Sequence, residues 1–301
     1  MSKTERILQQ VEQLRKDFTG QLGFGFYDLT TGEECYLSKE APIPTASVFK
    51  IYLLAELYRQ VEAGIISLSD RVEVTPETVS PGSGILSRFA HSTSFSVHDL
   101  AVLMMALSDN TATDRLYALV GRENIQENIV RALGLRETKV DFDCTEMIRN
   151  FYTDPDPCLT GAPRKISGYN NPWFRCETEL SDCSSPRDMV TILRALHDAT
   201  LLSREASDAV LDLMKPIPAA ARLEKYLPKT AKISRKTGSL MNCLCNDAGV
   251  VYTSKGDYVI VVFYNGNVAT EEEYQRENTR LNAEELLAKI SRAVYDIYMA
   301  D

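Results

Sequence analysis

With 301 residues, 44% hydrophobic and 25% charged, the chain has the composition of a folded globule rather than of a disordered segment. Its 33 Lys+Arg against 42 Asp+Glu leave a net charge of −9, which excludes the basic footprint that nucleic acid or anionic lipid requires. The longest apolar runs, 101–107 and 258–264, fall far short of the ~18 residues of a membrane span.

A chain of this length can bury enough surface to fold as two domains or one composite domain, without metal or disulfide staples. An amphipathic helix is predicted from about 4 to 18, followed by short strands over 22–29 and 34–37 around the turn Thr30-Thr31-Gly32. Next, Phe49, Leu53, Leu54 and Leu57 keep helical spacing, with Thr45 or Ser47 as a cap and Gly64 as the stop. Further helices are predicted over 96–107, 112–120 and 122–133. Residues 140–182 carry Pro155, Pro157, Pro163 and Pro172 and no sustained period, so they read as a long irregular excursion. Helices return at 186–197 and 204–214. Strands follow at 232–236, 248–253 and 258–264, the last two joined by the turn Ser254-Lys255-Gly256-Asp257, and an amphipathic helix over 283–298 ends the chain. Strands at both ends with helices between them predict an α+β fold, an antiparallel sheet from both chain ends flanked by helices, with an all-α insertion.

The seven cysteines (Cys35, Cys144, Cys158, Cys176, Cys183, Cys243, Cys245) are an odd, irregularly spaced set. The opening MSKTERILQQVEQLRKDF is charged and has no apolar signal region. Reduced thiols and a cytoplasmic location are therefore expected on this sequence, with a periplasmic or secreted one only if a leader was removed. Cys243-Leu244-Cys245 has the period of a strand face, and His91, His98 and His197 are not spaced as paired ligands, so no metal site is expected.

Three histidines in neutral contexts give no Ser-His-Asp or Cys-His arrangement. An activated serine then needs another base, for which a lysine with a depressed pKa serves. In Ser47-Val48-Phe49-Lys50 the i,i+3 spacing puts an ammonium beside a hydroxyl near a helix N-terminus. Alone, this reads equally as a cap and a solvated lysine. Ser108-Asp109-Asn110 ends one predicted helix and could merely cap the next. Lys236-Thr237-Gly238-Ser239 lies on a predicted strand, where Gly238 admits a close ligand and Lys236 and Thr237 offer a cation and a donor for a carboxylate. Its structural reading is an edge-strand lysine with a bulge glycine.

Taken together and in this order, the three motifs resemble those of the serine β-lactamase and penicillin-binding protein superfamily, specifically its class A-like branch. Asn110 to Asp114, Leu227-Pro228, Asn246-Asp247 and the run Ser184 to Met189 extend the resemblance over most of the chain, least between 140 and 179. The resemblance implies that Ser47 is the acylated nucleophile, Lys50 its partner in proton transfer and Ser108 the relay to the leaving nitrogen. It implies that Asn110 binds the substrate amide and holds Lys50, and that Lys236, Thr237, Gly238 and Ser239 form the strand that receives the substrate carboxylate. Lys236 would also lower the Lys50 pKa, and the backbone N–H groups of Ser47 and Ser239 would form an oxyanion hole. Arg222 would be a second carboxylate reader, with a surface arginine as the plain alternative. The glutamate that drives deacylation in class A enzymes finds its nearest match in Glu177, with Glu179 or a solvated loop carboxylate as alternatives and Ser181 where the family has asparagine.

The expected division is a sheet domain of 1–45 and 218–301, a helical domain of 46–217, and the site between them. The expected activity is serine β-lactam hydrolysis through acyl-Ser47 by a monomer acting on a small molecule, with no cofactor, no nucleic acid and no membrane partner. Alternatives are an intracellular amidase, peptidase or esterase on a carboxylate-bearing substrate, or a β-lactam-binding protein without turnover.

Overall fold

The computed structural model describes residues 1–18, 20–151, 181–216, 221–240, 244–266 and 279–300. Helix α1 (Lys3–Leu14) is started by a capping box, in which the Ser2 hydroxyl accepts from the Glu5 N–H and the Glu5 carboxylate accepts from the Ser2 N–H. The chain then enters β1 (Gln21–Asp28) and β2 (Glu34–Leu37). After the helical region it returns through β7 (Lys232–Leu240), β8 (Leu244–Thr253) and β9 (Gly256–Asn265) to helix α9 (Thr279–Ala300). These five strands form one antiparallel sheet in the order β2-β1-β9-β8-β7, so that β7 is an edge.

Period-two alternation divides the sheet's side chains between two cores. On β9, Tyr258, Ile260, Val262 and Tyr264 join Leu22, Phe24 and Phe26 of β1 against Ile7, Val11, Leu287 and Ile290 of α1 and α9. Val259, Val261 and Phe263 face the other way and pack with the central helices. On that inner face β1 carries Gly23 and Gly25. A Cβ at Gly23 would lie 2.8 Å from the Pro186 ring, and one at Gly25 would lie 2.9 Å from Val190. The paired glycines thus admit helix α7 (Pro186–His197) directly onto the strand.

Helix α2 (Lys50–Glu62) runs through the middle of the helical region and is buried on nearly all sides, which matches its apolar sequence from Ile51 to Leu57. Around it stand α3 (Val97–Ala106), α4 (Asn110–Val120), α5 (Arg122–Ile125, continuing as a π-turn to Arg131), α6 (Cys144–Phe151), α7 and α8 (Arg204–Leu213). Ser96, Asp109, Ser185 and Ser203 cap α3, α4, α7 and α8 through side-chain bonds to backbone N–H groups.

Three features differ from the sequence expectations. Neither Thr45 nor Ser47 caps α2; a 3₁₀ turn, Ala46–Phe49, leads into it, and the Thr45 hydroxyl instead donates to the Asp182 carbonyl at 3.3 Å. The short pairs β3 (Ile43–Pro44) with β6 (Cys183–Ser184), and β4 (Arg71–Val74) with β5 (Thr93–Ser96), went unpredicted. Strand β7 continues four residues past Lys236, so all of Lys236-Thr237-Gly238-Ser239 is extended. Among the described residues no helix is long and apolar enough to cross a membrane.

Candidate active site

Ser47 lies in the 3₁₀ turn and is half-buried, while Lys50, the first residue of α2, is fully buried. The turn is fixed from both sides. Ala46 takes a φ of +44°, a left-handed conformation that costs a non-glycine residue energy and persists only where the surroundings impose it. The Asn246 amide, from β8, donates to the Pro44 and Thr45 carbonyls at 2.8 and 3.1 Å, and its oxygen accepts the Tyr264 N–H. Opposite, Gly238 on β7 approaches so closely that a Cβ there would meet the Thr45 carbonyl at 2.4 Å and the Val48 Cγ2 at 2.9 Å. The edge strand and the serine turn are therefore in backbone contact.

The link between α3 and α4 completes the group. Ser108 has a φ of +53°, which turns its carbonyl and its hydroxyl to the same cation. Lys50 Nζ donates to Ser108 O at 2.9 Å, to Ser108 Oγ at 3.1 Å and to Asn110 Oδ1 at 3.1 Å. From the other side Lys236 Nζ donates to Ser108 Oγ at 3.0 Å and to Thr237 O at 2.9 Å. One hydroxyl thus joins two buried lysines. Asp109 serves structure: its carboxylate accepts from the N–H groups of Ile85, Leu86 and Ala112, holding a loop and a helix start. Asn110 donates back to the Pro81 carbonyl at 2.7 Å.

Burial lowers the Lys50 pKa, against the raising influence of Cys144, Asp114 and Asp109. Burial also pushes Lys236 well below the ordinary lysine value, and the Lys50 charge adds to that. Between two such ammonium groups the loss of one proton is favoured. A neutral amine beside Ser108 can then accept a proton while the remaining charge stays to attract an anion. The resemblance implies that Lys236 lowers the Lys50 pKa; burial is the main cause at Lys50, and the like-charge effect acts on Lys236.

Arg222 is 4% exposed and has a φ of +49°. It donates to the Gly238 and Asn246 carbonyls at 2.9 and 2.7 Å, to Ser239 Oγ, and to Glu284 Oε1 at 3.1 Å. Its guanidinium ties β7, β8 and α9 together directly behind the Lys-Thr-Gly-Ser strand. Glu177 and Glu179 lie outside the described residues.

Sequence reasoning gave no role to Asn246, Asp114 or Cys144. Asp114 accepts from the Cys144 N–H at 2.7 Å and from Thr145 N and Oγ1 at 3.1 and 2.8 Å, which seats the start of α6 beside Lys50. Burial raises the Cys144 thiol well above its ordinary value, so it stays protonated. Asn246 and Asp114 fall within stretches already noted as family-like; nothing in the sequence marked Cys144.

Fold and site together define a serine β-lactamase or penicillin-binding architecture, in which a serine turn meets two lysines across a shared hydroxyl. Residues 4–298 match the model of the beta-lactamase enzyme family, Beta-lactamase2, and the chain belongs to that family. It is 26% identical over 316 residues to the beta-lactamase regulatory protein BlaB of Streptomyces cacaoi, covering 98% of each. Two solved structures share the fold: a beta-lactamase from Sphaerobacter thermophilus (TM-score 0.77, 23% identity, 99% of this chain and 98% of that one) and PBP-A (TM-score 0.78, 22% identity, 99% and 97%).

Proposed function

We propose that the protein opens the amide of a β-lactam through an acyl-Ser47 intermediate. The observation that carries this reading is the Ser108 hydroxyl, 3.1 Å from Lys50 Nζ and 3.0 Å from Lys236 Nζ. In this reading Ser47 Oγ attacks the lactam carbonyl carbon and its proton passes to a neutral lysine. Backbone N–H groups of Ser47 and Ser239 stabilise the oxyanion. As the C–N bond breaks, the Ser108 hydroxyl protonates the departing nitrogen and is reprotonated from the lysine pair. Lys236, Thr237 and Ser239 receive the substrate carboxylate, Gly238 keeps the strand close to the turn, and Arg222 holds that strand from behind. Asn110 binds the substrate amide while keeping Lys50 in place. Water then releases the product with Glu177 as base, Glu179 being the alternative.

We take the site to lie between a sheet part, 1–45 with 218–301, and a helical part, 46–217, and the protein to act as a monomer. Nitrocefin hydrolysis tests the activity: the wild-type chain is expected to turn over and Ser47→Ala to lose it, whereas full activity in Ser47→Ala would refute the mechanism. Glu177→Gln is expected to accumulate acyl-enzyme in acid-quenched mass spectra; normal turnover would remove Glu177 from the mechanism.

A further inference from the structure

Asp182 is fully buried where three parts of the chain meet. Its neighbour Cys183 exchanges backbone bonds with Lys139 at 2.9 and 3.1 Å, and Cys183 and Ser184 lie opposite Pro44 and Ile43. The Asp182 carbonyl accepts the Thr45 N–H at 3.0 Å and the Thr45 hydroxyl at 3.3 Å, two residues before Ser47. Its side chain reaches the other way. Oδ1 accepts the N–H groups of Asp141 and Phe142 at 2.7 and 3.2 Å, on the approach to α6. One residue thus ties the serine turn to the segment that leads to Cys144 and Lys50.

The second oxygen is the exception. Oδ2 is buried and has no hydrogen-bond partner among the described residues, although buried polar atoms are normally paired. The neighbouring cations are committed elsewhere: Arg122 and Lys139 pair with the Asp141 carboxylate at 3.4 and 3.5 Å, and both stand over the Phe142 ring. The other titratable groups acting with Asp182 are Asp141, the Cys183 thiol and the Tyr117 phenol, none of them a cation. An ionised carboxyl would therefore carry charge on an oxygen with neither a donor nor a counter-ion, which is strongly disfavoured. Burial accordingly pushes the Asp182 pKa well above the ordinary carboxylate value, against the pull of its two backbone donors.

We infer that Asp182 is a positioning residue that works as a neutral carboxylic acid, joining the Ser47 turn to the approach of α6, and that losing its proton loosens this joint. In the neutral acid Oδ1 is a carbonyl-like acceptor for the two N–H groups, and Oδ2 carries the proton. When the proton leaves, the buried charge is relieved by admitting water between the two sets of contacts. The inference rests on the acyl-Ser47 reading and adds to it a residue that acts through Thr45.

Asp182→Asn tests this, because the amide keeps Oδ1 as an acceptor and cannot ionise. The variant and the wild-type chain are compared from about pH 5 to about pH 9 by the rate of acylation with a β-lactam and by thermal melts. With rising pH the wild-type rate is expected to fall relative to that of Asp182→Asn, by up to about tenfold per pH unit once the proton is lost. Asp143, which burial raises to about 6, titrates in the same range but is common to both chains and cancels in the ratio. Above the ordinary carboxylate pKa the folded wild-type chain holds a proton that the unfolded chain has lost, so its stability falls as pH rises. The melting temperature of Asp182→Asn is therefore expected to gain on the wild type with pH. A rate ratio constant with pH removes the link to Ser47, and an Asp182→Asn chain that falls behind the wild type as pH rises shows an ionised, paired carboxylate; either overturns the inference. If neither chain is acylated at any pH, the acyl-Ser47 reading falls and this inference falls with it.

Discussion

Lys236 sits 2% exposed with no carboxylate bonded to it among the described residues, an arrangement that favours substrate over fold. Burial and the neighbouring Lys50 charge hold its pKa well below the ordinary 10.5. Between that depressed value and 10.5 the folded chain binds fewer protons than the unfolded one, so this residue's contribution to stability rises with pH across that window. Below the depressed value the full cost of the buried ammonium is felt. Lys236→Met is therefore expected to raise the melting temperature, by more at about pH 7 than at about pH 10, while abolishing acylation. Thermal melts at the two pH values check this; a lower melting temperature, or an equal gain at both, would contradict it. Ala46, Ser108 and Arg222 show the same tension, since three of the five non-glycine positive-φ residues among those described belong to this one site. Strain gathered there is expected where backbone carbonyls and hydroxyls must be aimed.

At the scale of elements, the decisive contact is between strand β7 and the 3₁₀ turn before α2. Gly238 allows it, because any Cβ would strike the Thr45 carbonyl, which has no flexible end to yield. Gly238→Ala should cost about 1–3 kcal/mol in overpacking and slow acylation severely by moving the turn; unchanged denaturant midpoints and acylation rates would show that the contact is slack. Much of this level was legible in the sequence. Helix α7 has the bounds its pattern predicts, since Ser185 and Pro186 supply a local start and the apolar spacing runs to His197. The start of α2 was not legible, because the Thr45 hydroxyl is drawn off by Asp182, 137 residues away, and no local rule anticipates such a partner. The two-residue strands β3 and β6 are too short to carry a period. The two motif lysines are singled out by the ordered motifs that carry the family resemblance, but their meeting across Ser108 depends on the fold. Asp114 holds the start of α6, where Cys144 lies close enough to act on the Lys50 charge.

For the whole molecule, the sheet serves two cores at once. Its outer face rests on α1 and α9, and its inner face on the helical region that carries Lys50 and the Ser108 link. The site sits where the sheet's free edge meets that helical core, and long-range clamps set the spacing: Asn246 to Pro44 and Thr45, Arg222 to Gly238 and Glu284, and Thr45 to Asp182. A chain of net charge −9 repels anions at long range, so the proposed function requires the local cations of β7 and its surroundings to hold an anionic substrate. On the proposed function, this junction makes Ser47 a nucleophile. The most direct measurement is peptide-resolved mass spectrometry of the chain quenched in acid during exposure to a β-lactam. One intact lactam mass is expected on the peptide containing Ser47, and no such adduct in Ser47→Ala. Hydrolysis with no adduct at Ser47, or an adduct on any other residue, would contradict it.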